Sequence, residues 1–296
     1  MDKSGATGDA APLSAQEATG ETRSLSAQES TEHALRAASF GAAAQAYAEH
    51  RPDYPAAAIR WALGPVALPV GRPVRLLDLG AGTGKLTAAL ASLSIGAGPA
   101  AVVAVEPDPD MLAELRHQLP GVTALPGRAE SIPLADGNAD AVLVGQAARW
   151  FDPDLAMPEI ARVLAPGGIL AAFWNADDDR VDWVAGLHRV SGRTATLAFS
   201  AVQESDESDG MTDWLSKAGQ EFFWPPEPGG FEHAQRRTAD SMIETMRTYS
   251  TFLIMEPAER EATLAKVRDY LAATPQTGGG EFSIPLHTFA VRAIRR

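Results

Sequence analysis

The sequence predicts an α/β fold in which a doubly wound, mostly parallel sheet is covered by helices on both faces. Short runs of Val, Leu, Ile and Ala alternate with helical segments from residue 74 to residue 174, as in parallel strands that are buried on both faces. The first run ends in an acid and a turn with three glycines, LLDLGAGTGKLT at 76–87. Open α/β sheets bind ligands at such strand ends.

Two helices are predicted ahead of the sheet. In SFGAAAQAYAEHRPDYP, Phe40, Ala44 and Tyr47 recur at helical spacing, and the prolines Pro52 and Pro55 end the helix. The segment AAAIRWALG then predicts a second, short helix.

Five strands follow, and right-handed crossovers between them make the sheet doubly wound. The predicted strands are VRLLDLG (74–80), AVVAVE (101–106), the short VTALPGRAE, ADAVLVGQ (139–146) and GILAAFW (168–174). Helices are predicted at KLTAALASL, PDMLAELRHQL and EIARVL.

The alternation stops after Asn175, and this break defines the predicted domains. Residues 1–36 are poor in large apolar side chains and are predicted to be a disordered tail. Residues 37–175 are the predicted ligand-binding core. Residues 176–250, with ESDESD and FFWPPEPGG, are interpreted as a late cap insertion over the substrate site. Residues 251–296 supply a helix and a strand that complete the core.

Composition limits the classes of function. The 296 residues carry a formal net charge of −13, which argues against a nucleic-acid partner because such proteins need a basic surface. There is no cysteine, hence no disulfide or Cys-ligated metal. No apolar stretch approaches the roughly 20 residues that cross a bilayer, and the N-terminus lacks a secretory signal. We therefore expect a cytoplasmic protein without a membrane partner; the oligomeric state is not predicted.

The glycine turn discriminates between two phosphate-binding classes. A nucleoside-triphosphate P-loop needs glycine where Leu79 stands and Ser or Thr where Leu86 stands. A dinucleotide fingerprint needs its third glycine at Lys85. The turn therefore does not match the P-loop of a nucleoside triphosphatase. It matches the dinucleotide fingerprint only in part, so dinucleotide binding is disfavoured without being excluded.

S-adenosylmethionine suits the turn better. This ligand carries no phosphate, so its site needs bare backbone together with acids for its ammonium group and its ribose hydroxyls. Asp78 ends the first strand and Glu106 ends the second, and both strand ends lie at the ligand-binding edge of such a sheet.

An ordered set of motifs extends this interpretation to a family. DLGAGTGKLT resembles the first motif of class I S-adenosylmethionine-dependent methyltransferases, VVAVEPDPDML the second, and LPGRAESIPLADGNADAVLVGQAARWFD the third and fourth. EIARVLAPGGILAAFWN is similar to the segment that follows, and FGAAAQAYAEHRPDYP and IPLHTFAVRAIRR resemble the flanks of the small-molecule branch called methyltransferase type 11. The resemblance covers about residues 39–296. It implies a seven-stranded Rossmann-like methyltransferase fold, S-adenosylmethionine as cofactor and a small-molecule acceptor.

The resemblance also implies roles for single residues. Glu106 would hold the ribose diol, Met111 would touch the adenine or belong to the core, and Glu130 would lie at the adenine edge or cap the turn before SIPL. Gln146 would border the methionine by its backbone. The full implied cofactor set is Asp78, Gly80, Ala81, Gly82, Gly84, Glu106, Pro107, Met111, Ala129, Glu130, Gln146, Tyr47 and Arg51. Tyr47 and Arg51 would close over the cofactor, although helix-face packing explains Tyr47 equally well.

No catalytic residue and no metal site is predicted. Methyl transfer needs alignment and a dry pocket, and a base only for some acceptors. The candidate bases are His50, His188, His233 and His287, without a recognisable partner spacing. Arg149 stands where relatives often carry His, and would hold a substrate carboxylate or lie at the surface. Five aromatic residues would wall the acceptor or simply pack: Trp174, Trp183, Phe222, Phe223 and Trp224. The alternative functions are a non-catalytic S-adenosylmethionine-binding protein and an NAD(P)-dependent oxidoreductase.

Overall fold

The computed structural model describes residues 44–67, 69–96, 98–193, 215 and 219–296, with only the backbone described at 45–47. The predicted tail at 1–36 lies outside these ranges, as does the acidic stretch of the predicted cap. The predicted tail and the interpretation of that acidic stretch therefore remain predictions.

Seven strands form one sheet in the spatial order β3-β2-β1-β4-β5-β7-β6. The first five positions in this order are parallel, while β7 runs antiparallel to both of its neighbours. This arrangement confirms the predicted doubly wound, mostly parallel α/β fold. The strands are β1 (Arg75–Leu79), β2 (Ala101–Glu106), β3 (Thr123–Pro126), β4 (Ala139–Gly145), β5 (Leu164–Asp177), β6 (Glu227–Arg237) and β7 (Phe282–Ile294).

A side-chain cap marks the start of the helix that follows β2. Asp108 precedes a proline and accepts hydrogen bonds from the backbone N–H groups of Asp110 and Met111, which satisfies donors that a helix start otherwise leaves unpaired. Within the described ranges, no helix is both long and apolar enough to cross a membrane. The helices are α1 (Ala44–His50), α2 (Ala56–Leu63), α3 (Lys85–Ala91), α4 (Pro109–Gln118), α5 (Pro153–Val163), α6 (Asp182–Val190), α7 (Ala239–Arg247), α8 (Ser250–Leu253) and α9 (Pro257–Ala273).

The two faces of the sheet bury separate apolar clusters because successive side chains of a strand point to opposite faces. Leu77 and Leu79 of β1 pack on one face with the buried side of α5. Leu76 packs on the other face with α2 and α3. A third cluster joins α6, α7, α9 and the start of β7, and includes Leu187 and Met242. The carboxyl ends of the central strands are thereby held rigidly, as a binding site requires.

The predicted cap at 176–250 requires a correction. Residues 227–237 form β6, the edge strand of the main sheet, which pairs with β7 from Glu227 opposite Arg292 to Arg237 opposite Phe282. The segment EPGGFEHAQRR lacks the apolar run of a buried strand because most of its residues are partly or fully exposed. Edge strands commonly carry such polar residues, and the pattern therefore concealed the strand.

Candidate active site

The glycine turn follows β1 at the carboxyl edge of the sheet. Gly80, Gly82 and Gly84 all have positive φ angles, of 68°, 57° and 91°, which other residues rarely adopt. A side chain at position 80 would also clash with its surroundings, because a Cβ atom there would lie 2.6 Å from the Cβ of Ala147. The N–H groups of Gly80 and Ala81 donate to the carbonyl of Val105 in β2, at 2.9 and 3.1 Å. The turn is thereby fixed beside the end of β2, with Gly80 and Gly82 partly exposed.

The carboxylate of Glu106 connects this turn to the loop after β2. Its Oε2 accepts a hydrogen bond from the N–H of Gly82 at 2.7 Å, and its Oε1 accepts one from the N–H of Asp108 at 2.9 Å. Burial raises the pKa of Glu106, while these two hydrogen bonds act in the opposite direction. A carboxylate oxygen has acceptor capacity for a second donor. The group is therefore held in place and can still accept from two hydroxyls of a ligand.

Asp78 lies beneath the turn and is fully buried. Its Oδ2 accepts a hydrogen bond from Oγ1 of Thr87 at 2.5 Å, whereas its Oδ1 is buried without a hydrogen-bond partner among the described residues. Burial raises the pKa of Asp78 to about 7, the hydrogen bond from Thr87 opposes this shift, and the charge of Glu106 adds to it. A buried carboxyl with an unpartnered oxygen fits a cationic ligand.

Met111 and Ala129 have different surroundings. Met111 packs against Ala44 of α1, and its Sδ lies 3.8 Å from the position that a Cβ on Gly82 would occupy, so this side chain is beside the glycine turn. Ala129 is buried in the apolar cluster that contains Leu77. Pro107 is exposed directly after β2. The predicted cofactor contacts of all three residues stay predictions.

Glu130 has a structural partner that the sequence did not indicate. Its Oε1 accepts a hydrogen bond from the N–H of Asp152 at 2.9 Å, just ahead of α5, and its Oε2 lies 3.4 Å from Nε of Arg128. The carboxylate thus supports the start of α5, whereas the structural alternative weighed from sequence was a cap of the turn before SIPL.

Gln146 has a strained backbone at the end of β4. Its φ of 62° is the only positive value of a non-glycine residue in the described part of the chain, and such strain is concentrated at functional sites. The N–H of Gln146 donates to the carbonyl of Phe173 at 2.8 Å, and its side-chain amide donates to the carbonyl of Asn175 at 3.0 Å. The backbone of Gln146 is therefore fixed between β4 and β5, one residue before Ala147, which lies against Gly80.

Comparison with known proteins identifies the family of this chain. The family model described as "Methyltransferase domain" matches residues 77–172. An uncharacterized methyltransferase of Mycobacterium tuberculosis is 40% identical over 265 residues, which cover 86% of this chain and 95% of that protein. The chain belongs to the class I methyltransferase family.

Two further comparisons support this membership. A structure described as that of a Type II methyltransferase from Anaeromyxobacter dehalogenans is 26% identical with a TM-score of 0.53, and the alignment covers 83% of this chain and 96% of that one. The trans-aconitate 2-methyltransferase of Methylobacterium nodulans is 31% identical over 159 residues, which cover 51% of this chain and 59% of that protein. The predicted fold and the prediction of an enzyme are confirmed, and the oxidoreductase alternative is set aside.

In this methyltransferase, Arg51 joins α1 to the junction of α7 and α8. Its Nε donates to Oγ1 of Thr248 at 3.0 Å, and its Nη2 donates to the carbonyl of Thr248 at 2.8 Å. Tyr47 belongs to α1, and its side chain lies outside the described residues. The closure of both residues over a cofactor stays a prediction.

The five aromatic residues do not form one wall. Trp174, Phe222 and Phe223 belong to the main apolar cluster. Trp183 packs edge-on against Phe282 in another cluster, and Trp224 is 57% exposed. Of the two interpretations, ordinary packing is therefore the one that the structure supports.

Two of the four candidate bases, His188 and His233, have partners within hydrogen-bond distance. His188 is buried with its Nε2 3.0 Å from Oδ2 of Asp177, and Nε2 of His233 lies 2.9 Å from Oγ1 of Thr288. Arg149 packs its guanidinium 4.9 Å from the ring centroid of Trp150. In the part of the chain that the structure describes, no group of three or more His, Asp or Glu residues is placed to hold a metal ion.

Sequence reasoning missed two groups of polar residues at the same edge. Asn175 donates to the carbonyl of Asp53 at 3.1 Å, and the carboxylate of Asp53 lies 3.0 Å from Nζ of Lys85. These contacts hold the segment after α1 across the strand ends. The second group surrounds Tyr249 and includes Arg193. No spacing along the chain marks either group, because its members come from distant segments.

Proposed function

We propose that this methyltransferase transfers the methyl group of S-adenosylmethionine to a small-molecule acceptor by in-line displacement. The observation that carries the proposal is the carboxylate of Glu106, which is fixed by Gly82 and Asp108 at the ends of two neighbouring strands. A vicinal diol such as that of a ribose donates two hydrogen bonds to such a carboxylate. Membership of the methyltransferase family supports the same cofactor.

The other residues at the turn fit this cofactor. The unpartnered Oδ1 of Asp78 would accept from the ammonium of the methionine moiety. The glycine turn would present bare backbone to the ribose and the methionine chain, and Gln146 would bound the opposite side. The cofactor supplies the electrophilic methyl group, so the chain contributes alignment, charge and exclusion of water. No base is assigned.

A small acceptor is supported by the relative named for trans-aconitate and by the covering of the site. α1 packs through Ala44 against Met111 beside the glycine turn, and the segment after it is held by Asn175 and Lys85 across the strand ends. Such a cover favours acceptors that enter a pocket.

Calorimetry tests the cofactor. Titrate S-adenosylmethionine, S-adenosylhomocysteine and NADH into the wild type, Glu106→Ala and the matched control Glu114→Ala, whose side chain bonds to Gln118 on the surface of α4. We expect the first two ligands to bind, Glu106→Ala to weaken them at least tenfold and Glu114→Ala to leave them unchanged. Binding of NADH alone, or of nothing, would overturn the proposal.

Transfer itself needs a separate measurement. Incubation with methyl-labelled S-adenosylmethionine and a panel of small acceptors should give a labelled product. Cofactor binding without product from any acceptor would instead favour the non-catalytic binding protein.

A further inference from the structure

The segment between α1 and α2 runs across the carboxyl ends of the strands, and we refer to its residues 52–54 as the strap. The carboxylate of Asp53 lies 3.0 Å from Nζ of Lys85, which opens α3 directly after the glycine turn. The carbonyl of Asp53 accepts a hydrogen bond from Nδ2 of Asn175 in β5 at 3.1 Å. Because β4 lies between β1 and β5 in the sheet, the strap crosses the end of β4 between these two attachments.

The strap contacts the end of β4 beside the proposed cofactor site. A Cβ atom on Gly145 would lie 2.6 Å from the hydroxyl oxygen of Tyr54, so the strap lies against the residue that precedes Gln146. The side-chain amide of Gln146 donates to the carbonyl of Asn175 at 3.0 Å, and under the proposed function Gln146 borders the methionine of the cofactor. Asn175 therefore contacts both the strap and a residue of the proposed site.

Two further residues hold the side-chain amide of Asn175. In the sheet Asn175 pairs with Thr288 of β7, which pairs with Phe231 of β6, and His233 follows two residues later. The side chains at 175, 288 and 233 therefore share one face of the sheet. Oγ1 of Thr288 donates to Oδ1 of Asn175 at 2.5 Å, and Nε2 of His233 lies 2.9 Å from Oγ1 of Thr288. We refer to His233, Thr288 and Asn175 as the hydrogen-bond chain.

The hydrogen bonds of this chain run in one direction. Nδ2 of Asn175 faces the carbonyl of Asp53, which can only accept, so Oδ1 must be the atom that faces Thr288. The hydroxyl of Thr288 has a single hydrogen, and it is used in the bond to Oδ1. Nε2 of His233 must therefore carry a hydrogen and donate it to Thr288. Each member of the chain fixes the orientation of the next, and the amide of Asn175 fixes the strap.

The chain acts on the strap rather than on the sheet. Strands β5 and β7 are paired through their backbones from Ile169 to Asp177, so their association does not require a hydroxyl at the fully buried Thr288. This hydroxyl instead orients an amide whose own hydrogen bonds leave the sheet and reach the strap. If the amide were reversed, its oxygen would face the carbonyl of Asp53, and two acceptors cannot form a hydrogen bond.

We propose that Asn175 holds the strap over the proposed cofactor site, and that Thr288, itself oriented by His233, is a positioning residue that acts through Asn175. The inference rests on the proposed function and goes beyond it by assigning residues that retain the cofactor. A covering segment that is already held in place reduces the ordering cost of binding and slows release of the ligand. Loss of the chain should therefore speed the dissociation of S-adenosylhomocysteine.

The test measures S-adenosylhomocysteine binding to the full-length protein, with affinity from calorimetry and the dissociation rate from surface plasmon resonance. The variants are Thr288→Val, Thr288→Ser, Asn175→Ala and the double variant Asn175→Ala/Thr288→Val. Val keeps the shape of Thr without its hydroxyl, whereas Ser keeps the hydroxyl. Thr277→Val is the matched control, because Thr277 is also buried and its Oγ1 donates to the carbonyl of Leu271 in α9. The melting temperature of each variant reports on folding.

We expect Thr288→Val to weaken binding at least fivefold, mainly through faster dissociation, and Thr288→Ser to restore most of the affinity. Thr277→Val should leave binding unchanged even where it lowers the melting temperature. In the Asn175→Ala background Thr288→Val should have no further effect on binding, because its effect passes through the amide.

Four outcomes would overturn the proposal. These are unaltered binding by Thr288→Val, equal weakening by Thr277→Val, no rescue by Thr288→Ser, and additive effects of the substitutions at 175 and 288. Failure of S-adenosylhomocysteine to bind the wild type would instead refute the proposed function.

Discussion

The carboxylate of Glu106 accepts a hydrogen bond from the backbone N–H of Gly82, with an N···O distance of 2.7 Å. This contact joins the turn after β1 to the end of β2, so that one side chain orders the glycine turn and, under the proposed function, also holds the cofactor. Burial raises the pKa of Asp78, and the charge of Glu106 adds to this rise. The carboxylate of Glu106 therefore affects both the conformation of the glycine turn and the protonation of Asp78.

Glu106→Gln should weaken S-adenosylhomocysteine binding by about 10- to 100-fold. The amide cannot accept at both atoms, so Gly82 or Asp108 loses an acceptor, and hydrogen bonds to a charged acceptor contribute about 1.5–3 kcal/mol. Calorimetry on the folded variant measures this change. Unaltered affinity would show that the carboxylate charge is not used by the ligand.

Gly80→Ala should lower the free energy of unfolding by about 2–4 kcal/mol, because a positive φ and a crowded Cβ combine there. Gly71 is the matched control: its φ is also positive, at 75°, but a Cβ would meet nothing within 4 Å. Gly71→Ala should therefore cost only about 1–2 kcal/mol for the backbone conformation. Urea unfolding compares the two variants, and equal losses would contradict the contact with Ala147.

Asp78→Asn should change how stability depends on pH. The pKa of Asp78 is raised to about 7, so the folded wild type binds this proton more tightly than the unfolded chain does. The contribution of the Asp78 carboxyl to the free energy of unfolding of the wild type is therefore fully present at low pH, and it is lost as the pH rises through about 7. Between about pH 5.5 and about pH 8.5 the wild type should lose about 2 kcal/mol that Asp78→Asn retains. Urea unfolding at both pH values measures the difference, and parallel pH profiles would contradict the raised pKa.

Asp177→Asn should lower the free energy of unfolding by about 3–5 kcal/mol, because it leaves the charge of Arg193 without its partner in a buried site. The neighbouring Asp178 pairs with Arg180, whose side chain is 47% exposed, and Asp178→Asn should cost about 1 kcal/mol or less. Chemical denaturation of both variants makes the comparison. A similar loss of unfolding free energy in the two variants would mean that the pairing of Arg193 with the buried carboxylate contributes little to stability.

Local pattern predicted the sheet core and the glycine turn correctly. Buried parallel strands are continuous apolar runs, and the glycine turn is a short motif, so a contiguous window of sequence contains the information for both. β6 escaped prediction because an edge strand needs no apolar run, and its place beside β7 depends on a pairing between distant segments. The structural role of Glu130 also escaped, since its partner Asp152 belongs to another element.

By itself, the sequence determined the α/β class, the turn of Gly80, Gly82 and Gly84, and the two acids near the carboxyl ends of β1 and β2. These features follow from backbone conformation and burial, which neighbouring residues encode. Only the tertiary structure decided that Arg51, Arg193 and Arg237 meet around Tyr249. Their contact depends on the order of the strands and on how α1, α6 and α7 pack at one edge of the sheet, and long-range packing of this kind leaves no periodic trace along the chain.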